Sequence, residues 1–313
     1  MKLKFLTVIL ALGLISTMAS CTRNNNEGSS MDSSILGTSS DSNIMSSIED
    51  AISSEIDEMT SSDTSSTASG EEFSSPTAAE LSEIESLDNT TVVWGPGTLY
   101  NEDKRPAAPC DLQNKYGELG AYFISENIPN IYLTFDEGYE NGYTPKILDV
   151  LKEKNVSAVF FVTMPYVKGN PDLIKRMIDE GHIIGNHSSK HLVMPSLSIE
   201  DATDEYMKLH DYIKENFNYE MTLFRPPEGK FSEQSLALGK ALGYKNILWS
   251  FAYADYDVNN QPDNQEALEK IIKRAHNGEI MLLHAVSKTN TEILGDLIDR
   301  LRNEGYTFCK FDL

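Results

Sequence analysis

Cysteine is scarce: three residues in a chain of 313 exclude a disulfide-built scaffold. Basic residues are few as well. Lys and Arg total 26 against 48 Asp and Glu, a net charge of −22. Nucleic acid is therefore excluded as a partner, because its phosphates would be repelled and no basic stripe offsets this. Long apolar runs are also missing. The run from Phe5 to Ile15 falls well short of the ~20 residues that cross a bilayer. Histidine occurs only six times, which makes its placement informative.

The negative charge is unevenly spread. Residues 22–90 hold one base, Arg23, and fifteen acids, and they are rich in serine and nearly devoid of aromatics. Such a stretch cannot bury enough apolar surface to offset its ordering entropy, so it reads as a flexible tether. Ile44, Ile48, Ile52, Ile56 and Met59 form a helical stripe within it, either a transient helix or a docking face. Upstream, Lys2 and Lys4 precede the apolar run, which ends at Met18-Ala19-Ser20-Cys21. This is an export signal. Its end resembles a bacterial lipoprotein cleavage site, which implies a lipid on Cys21 and an extracytoplasmic protein anchored to the membrane. An ordinary secretory signal that contains a cysteine is the alternative.

From Thr91 onward, short apolar runs alternate with longer amphipathic ones. The pattern predicts strands at residues 131–135, 158–163, 182–185, 222–225, 246–249, 279–283 and 306–311. Helices are predicted at 145–154, 171–180, 198–215, 232–242, 264–276 and 291–303. Gly181, Gly243 and Gly305 stand where helices should stop. Seven strands separated by six helices give one α/β domain with a parallel sheet, open or closed. Residues 91–130 read as an irregular lead-in.

In parallel α/β folds active groups gather at the carboxyl ends of strands. Here those ends carry Asp136 and Glu137, His187 and His191, Arg225, Asp255 and His284. Were the stretch helical, His187-Ser-Ser-Lys-His191 would place two imidazoles on one side, suited to a divalent metal such as zinc. Two solvated histidines are the plain alternative. The adjacent acids Asp136 and Glu137 divide between two tasks, one binding the metal and the other taking a proton from its water; otherwise they form an acidic turn. Arg225 can hold Asp136 ionised, or be a surface arginine. His284, tuned by Asp255, can protonate a leaving nitrogen, or be a satisfied core histidine. Together the set describes metal-assisted hydrolysis of an amide or ester. Cys110 and Cys309 lie outside it, bridged or as thiols.

Leu133-Thr134-Phe135-Asp136-Glu137-Gly138, His187 to His191, Arg225-Pro226-Pro227 and Leu282-Leu283-His284 resemble, in order, the motifs of polysaccharide deacetylases, carbohydrate esterase family 4. The likeness spans about residues 130–313. The segments Gly138 to Pro145 and His284 to Ser287 resemble the delta-lactam-biosynthetic de-N-acetylase branch of spore peptidoglycan. The resemblance implies an incomplete (β/α)7 barrel and removal of acetate from N-acetylmuramic acid in peptidoglycan, leading to muramic δ-lactam; a monomer is expected. It implies Asp136 as base, Arg225 as its orienting partner, His284 as acid and Asp255 as the carboxylate that tunes it. It also implies His187, His191 and Glu137 as ligands of a divalent metal, zinc by expectation, and a backbone N–H near Pro226 for the oxyanion. Glu137 replaces the family's aspartate, and Ala252 and Tyr256 replace the acid and tryptophan of a further motif. Glu228 stands where this branch would carry a base. The alternatives are an N-acetylglucosamine or chitooligosaccharide deacetylase, and a sugar-binding lipoprotein with weakened catalysis.

Overall fold

A computed structural model describes residues 75–311. The leader, Cys21 and the isoleucine stripe lie outside the described residues. The chain enters through α1 (Ala78–Glu85), which is closed by a capping box in which Thr77 and Glu80 satisfy each other's backbone N–H groups. Then come β1 (Val92–Val93), α2 (Ala107–Tyr116) and β2 (Ala121–Tyr122). The barrel units follow: β3 (Asn130–Glu137), α3 (Thr144–Lys154), β4 (Val159–Val162), α4 (Met164–Gly169), α5 (Pro171–Asp179), β5 (Ile183–Asn186), α6 (Ile199–Phe217) and β6 (Leu223–Phe224). The chain continues through β7 (Lys230–Phe231), α7 (Glu233–Ala241), β8 (Lys245–Ile247), α8 (Asn264–Arg274), β9 (Glu279–His284), α9 (Lys288–Asn303) and β10 (Thr307–Phe308).

All seven predicted strands and all six predicted helices are present, with ends shifted by a few residues. Gly181, Gly243 and Gly305 each stand two residues past the ends of α5, α7 and α9. Ser198 caps α6 by accepting from the Asp201 N–H. Two readings need correction. The stretch read as tether to residue 90 contains α1, whose Ile84 is buried in the core. The lead-in is not irregular throughout, because it contains β1, α2 and β2, and β2 joins the sheet beside β8. Two-residue strands and an eight-residue helix are too short to leave a periodic signal in a sequence.

The main sheet runs β10-β3-β4-β5-β6-β8-β2, and β9 also pairs with β3. Every pairing in it is parallel. The sheet curls into an incomplete barrel, and a parallel bridge from Phe251 to Met281 brings the β8 side against β9. Alternating residues divide between two cores. Tyr132, Val159, Phe161, Leu223, Ile280 and Leu282 face the barrel interior, while Leu133, Phe135, Phe160, Phe224, Met281 and Leu283 pack against the helices. Strands covered on both faces read as unbroken apolar runs, as β4 (VFFV) does. Each fully buried Phe or Leu contributes about 1.5–3 kcal/mol.

Gly185 in β5 marks a point of close packing. A Cβ there would stand 2.5 Å from the Phe161 ring. Overpacking a filled core costs about 1–3 kcal/mol, so Gly185→Ala should lower the midpoint of thermal unfolding by several degrees. Calorimetry showing an unchanged midpoint would mean that the Phe161 ring has room to move.

Candidate active site

Strand parity decides which way each strand-end residue points. Asp136 shares the inward row of β3 with Tyr132, whereas Glu137 shares the outward row with Leu133 and Phe135. β3 and β9 are in register, with Asp136 opposite His284. Both therefore sit at the same level of the barrel mouth, on neighbouring strands.

Arg225 follows β6 and is fully buried. Its Nη1 donates to Asp136 Oδ1 at 2.8 Å, its Nε to Ile247 O at 3.0 Å and its Nη2 to Leu248 O at 3.3 Å. Its guanidinium carbon lies 4.1 Å from the centre of the Phe161 ring. The expected surface alternative for Arg225 is thereby ruled out. Burial alone would raise the Asp136 carboxyl, but the charge of Arg225, with that of His284 adding to it, outweighs burial and holds the carboxyl below its ordinary value. Asp136 is ionised at neutral pH, as a base must be.

His187 Nδ1 lies 2.8 Å from the carbonyl oxygen of Arg225. A carbonyl only accepts, so Nδ1 carries the proton and Nε2 presents a lone pair. Nε2 faces Asp136 Oδ2 at 3.5 Å. Burial pushes His187 down to about 4 against the pull of Asp136, so the ring is neutral. Two acceptors that face each other at this distance are satisfied by a hydrogen donor or a cation placed between them. The His187 and His191 rings are 4.8 Å apart, edge to face. They meet without the helical turn expected of the His-x-x-x-His spacing. The segment is a loop in which Ser188 (φ 68°) and His191 (φ 59°) adopt left-handed backbone. Asn186 holds this shape: its Oδ1 accepts from the Ser188 N–H at 2.8 Å, and its Nδ2 donates to Tyr206 O and Tyr244 Oη.

His284 and Asp255 form the second half of the site. Asp255 Oδ1 lies 2.7 Å from His284 Nδ1, and Oδ2 accepts from the His284 N–H at 2.8 Å and from Asn290 Nδ2 at 2.6 Å. Burial alone would lower the imidazole. The hydrogen bond and charge of Asp255, with Asp136 adding to them, outweigh burial and raise it above its ordinary 6.5. Nε2 is the free edge of the ring. Exposed Tyr256 stands beside His284, with ring centres 5.9 Å apart. Sequence reasoning missed Asn186 and Asn290. The signal for each was an amide at a strand end or helix start that the core buries completely.

Glu137 does not join the histidines. It lies under the helices with no exposed surface, where its Oε1 accepts from Thr144 Oγ1 at 3.2 Å and its Oε2 has no partner. Burial first, then the nearby charge of Glu140, raise it well above the ordinary carboxylate value, so it is a neutral acid. Consecutive residues of an extended strand point to opposite faces, and β3 stays extended through Glu137. The expected third metal ligand is therefore absent from the site. Among the described residues, no group of three or more His, Cys, Asp and Glu side chains is placed to hold an ion. A catalytic zinc takes three protein ligands; this arrangement offers the His187 and His191 pair, so the donor set does not fit the expected one. No disulfide joins Cys110 and Cys309 among the described residues.

The fold and this pairing of an ionised carboxylate with a raised imidazole define a hydrolase working at the mouth of a parallel α/β barrel. Residues 125–247 match the polysaccharide deacetylase family model. The peptidoglycan-N-acetylmuramic acid deacetylase PdaA of Bacillus subtilis is 42% identical, over 75% of this chain and 90% of that protein. An uncharacterized 30.6 kDa protein of Geobacillus stearothermophilus is 48% identical, over 72% of this chain and 86% of its own length. The solved structure of Bacillus subtilis PdaA, a family 4 carbohydrate esterase, covers 72% of this chain and 97% of its own with a TM-score of 0.69. The chain belongs to the polysaccharide deacetylase family, carbohydrate esterase family 4.

Two outcomes follow from the geometry. Activity against pH should form a bell. Its acid limb, set by Asp136, lies below the ordinary carboxylate range, and its alkaline limb, set by His284, lies above 6.5. In Asp255→Asn the raising partner is lost while burial remains, so the alkaline limb moves to lower pH; an unmoved limb would mean that His284 is not the acid. The same linkage acts on stability. The part due to His284 is fully present below 6.5 and lost as pH rises through the raised value. Separately, calorimetric titration of Zn²⁺ should give the same affinity for Glu137→Gln as for the parent, and a weaker one for His191→Ala. Weakened binding in Glu137→Gln would restore Glu137 as a ligand.

Proposed function

We propose that the protein hydrolyses the acetamido group of N-acetylmuramic acid in peptidoglycan, releasing acetate and leaving a free amine. The observation that carries this reading is the register of β3 and β9, which sets base and acid side by side. The kinship with a deacetylase of that sugar over nearly its whole length supports the substrate. Asp136 Oδ2, beside the lone pair of His187 Nε2, takes a proton from water, and the hydroxide attacks the acetyl carbon. Negative charge collects on the former carbonyl oxygen. Within residues 225–229 the Arg225 N–H is given to Asn186 O, the prolines have none, and the Gly229 N–H is given to Pro226 O. The resemblance implies a backbone N–H near Pro226 as the donor for that oxyanion, and in this reading the Glu228 N–H fills that role. His284 Nε2 then donates its proton to the nitrogen, the C–N bond breaks, and amine and acetate leave. Asp255 keeps His284 charged until that transfer.

In this reading the product amine and the lactyl carboxyl of the same sugar then condense to the muramic δ-lactam, the amine displacing the carboxyl's hydroxyl as water, where no stem peptide blocks the carboxyl, as in spore cortex. A divalent metal, zinc by expectation, would rest on His187 and His191. The protein works outside the cytoplasm, held to the membrane by lipid on Cys21, as a monomer. One observation favours N-acetylglucosamine as substrate instead: Glu228, on the loop near His191, brings negative charge where a lactyl carboxylate would have to fit, although Lys230 pairs with it at 2.7 Å.

The test is release of acetate from peptide-stripped peptidoglycan and from chitooligomers, followed by mass spectrometry of the glycans. Deacetylated muramic residues are expected, with Asp136→Asn slower by about 10²–10⁴-fold. Acetate from chitooligomers alone would replace the substrate with N-acetylglucosamine. Binding without acetate from either would make the protein a sugar-binding lipoprotein.

A further inference from the structure

The residues between α1 and α2 lie outside the family-matched region, yet they touch the segments that follow the His187–His191 loop and the Arg225 loop. Asn89 makes one bond to each. Its Nδ2 donates to Pro195 O at 3.0 Å, in the turn that follows His191, and its Oδ1 accepts from Ser232 Oγ at 2.8 Å, at the far end of the Arg225 loop. The Asp88 carbonyl accepts from the Gln234 N–H at 3.2 Å. β1 then pairs antiparallel with β7, Val92 opposite Phe231 and Val93 opposite Lys230. Trp94 extends this ladder, its N–H donating to Gly229 O at 3.1 Å. The Trp94 indole N–H donates to Trp249 O at 3.0 Å, one residue beyond the Leu248 carbonyl that receives Arg225.

The loop being held needs holding. Glu228 (φ 56°) and Gly229 (φ 63°) are consecutive residues in left-handed backbone. A Cβ at Gly229 would lie 2.6 Å from the Trp249 ring and 3.3 Å from Trp94 Cβ, so the two tryptophans close over that turn. A non-glycine residue persists in such a conformation only where its surroundings over-determine it. Here the surroundings are β1 and Trp94. The His187 loop contains two more such residues, Ser188 and His191, and Asn89 is a tie between its far end and the Arg225 loop.

We infer that residues 88–94 are a positioning element of the active site, with Asn89 and Trp94 setting the His187–His191 loop and the Arg225 loop relative to each other. The catalytic unit therefore begins upstream of residue 125. The kinetic part of this inference rests on the deacetylase reading; the structural part does not.

The test uses the full chain carrying Asn89→Ala, Asn89→Asp or Trp94→Phe. In Asn89→Ala, amide exchange should quicken at least tenfold in residues 188–196 and 228–234 and remain unchanged in β3 and β4. Asn89→Asp keeps the acceptor for Ser232 but sets an anionic oxygen against Pro195 O, so exchange should quicken in 188–196 alone. Trp94→Phe keeps a ring but removes the indole N–H, so exchange should quicken in residues 228–231. At temperatures well below unfolding, kcat for acetate release should fall about tenfold in Asn89→Ala with KM within twofold, because a small misplacement of reacting groups is costly. A lowered unfolding midpoint with exchange in both loops and kcat as in the parent would overturn the inference, leaving the segment as packing only. Parent protein that releases no acetate would instead remove the deacetylase reading, while the exchange pattern would still judge the positioning role.

Discussion

A carboxylate that is largely withdrawn from water stays charged only if something nearby compensates it, and for Asp136 that something is Arg225. The guanidinium is itself fully buried, bonded to two backbone carbonyls and stacked on Phe161, so it cannot turn away from Asp136. Breaking such a buried pair from one side leaves an uncompensated charge, at about 3–5 kcal/mol. The pair thus joins stability to chemistry, because removing Arg225 would both leave a buried charge unpaired and take away what keeps the base ionised. His187 depends on it too, because the carbonyl of Arg225 fixes its tautomer.

The scaffold was largely readable from residue order. Apolar runs of four to eight residues between amphipathic stretches located all seven expected strands, and placing polar residues at their ends picked out Asp136, His187, Arg225 and His284. What pattern reasoning could not supply was facing. Parity along β3 sends Glu137 beneath the helices, so a motif that looks like a pair of site carboxylates yields one. The His-x-x-x-His spacing suggested a helical turn, yet a loop with two left-handed residues brings the rings together instead. In both cases the deciding quantity was a backbone dihedral or a strand's length, which no count of residue types contains.

The elements missed entirely share a cause. β1, β2 and β7 are two residues long, and α1 and α4 span about two turns, so none has room for a period; α2, at ten residues, is the exception. Asn186, Asn290 and Asn89 were missed for a related reason. Each is a single amide whose role lies in contacts made across 20 or more positions of sequence. Asn186 and Asn290 are buried amides, which must bond with good geometry or cost more than they give, whereas Asn89 is exposed and ties its two partners from the surface.

Arg225 serves neighbouring groups through different parts of one residue, its guanidinium gripping Asp136 and its carbonyl gripping His187. An insertion or deletion anywhere between β6 and Pro227 would displace both grips together, so this loop can change its length only by abandoning the reaction. Side-chain identity is less constrained just past the prolines, where exposed Glu228 and half-buried Lys230 pair with each other rather than with Asp136 or His187.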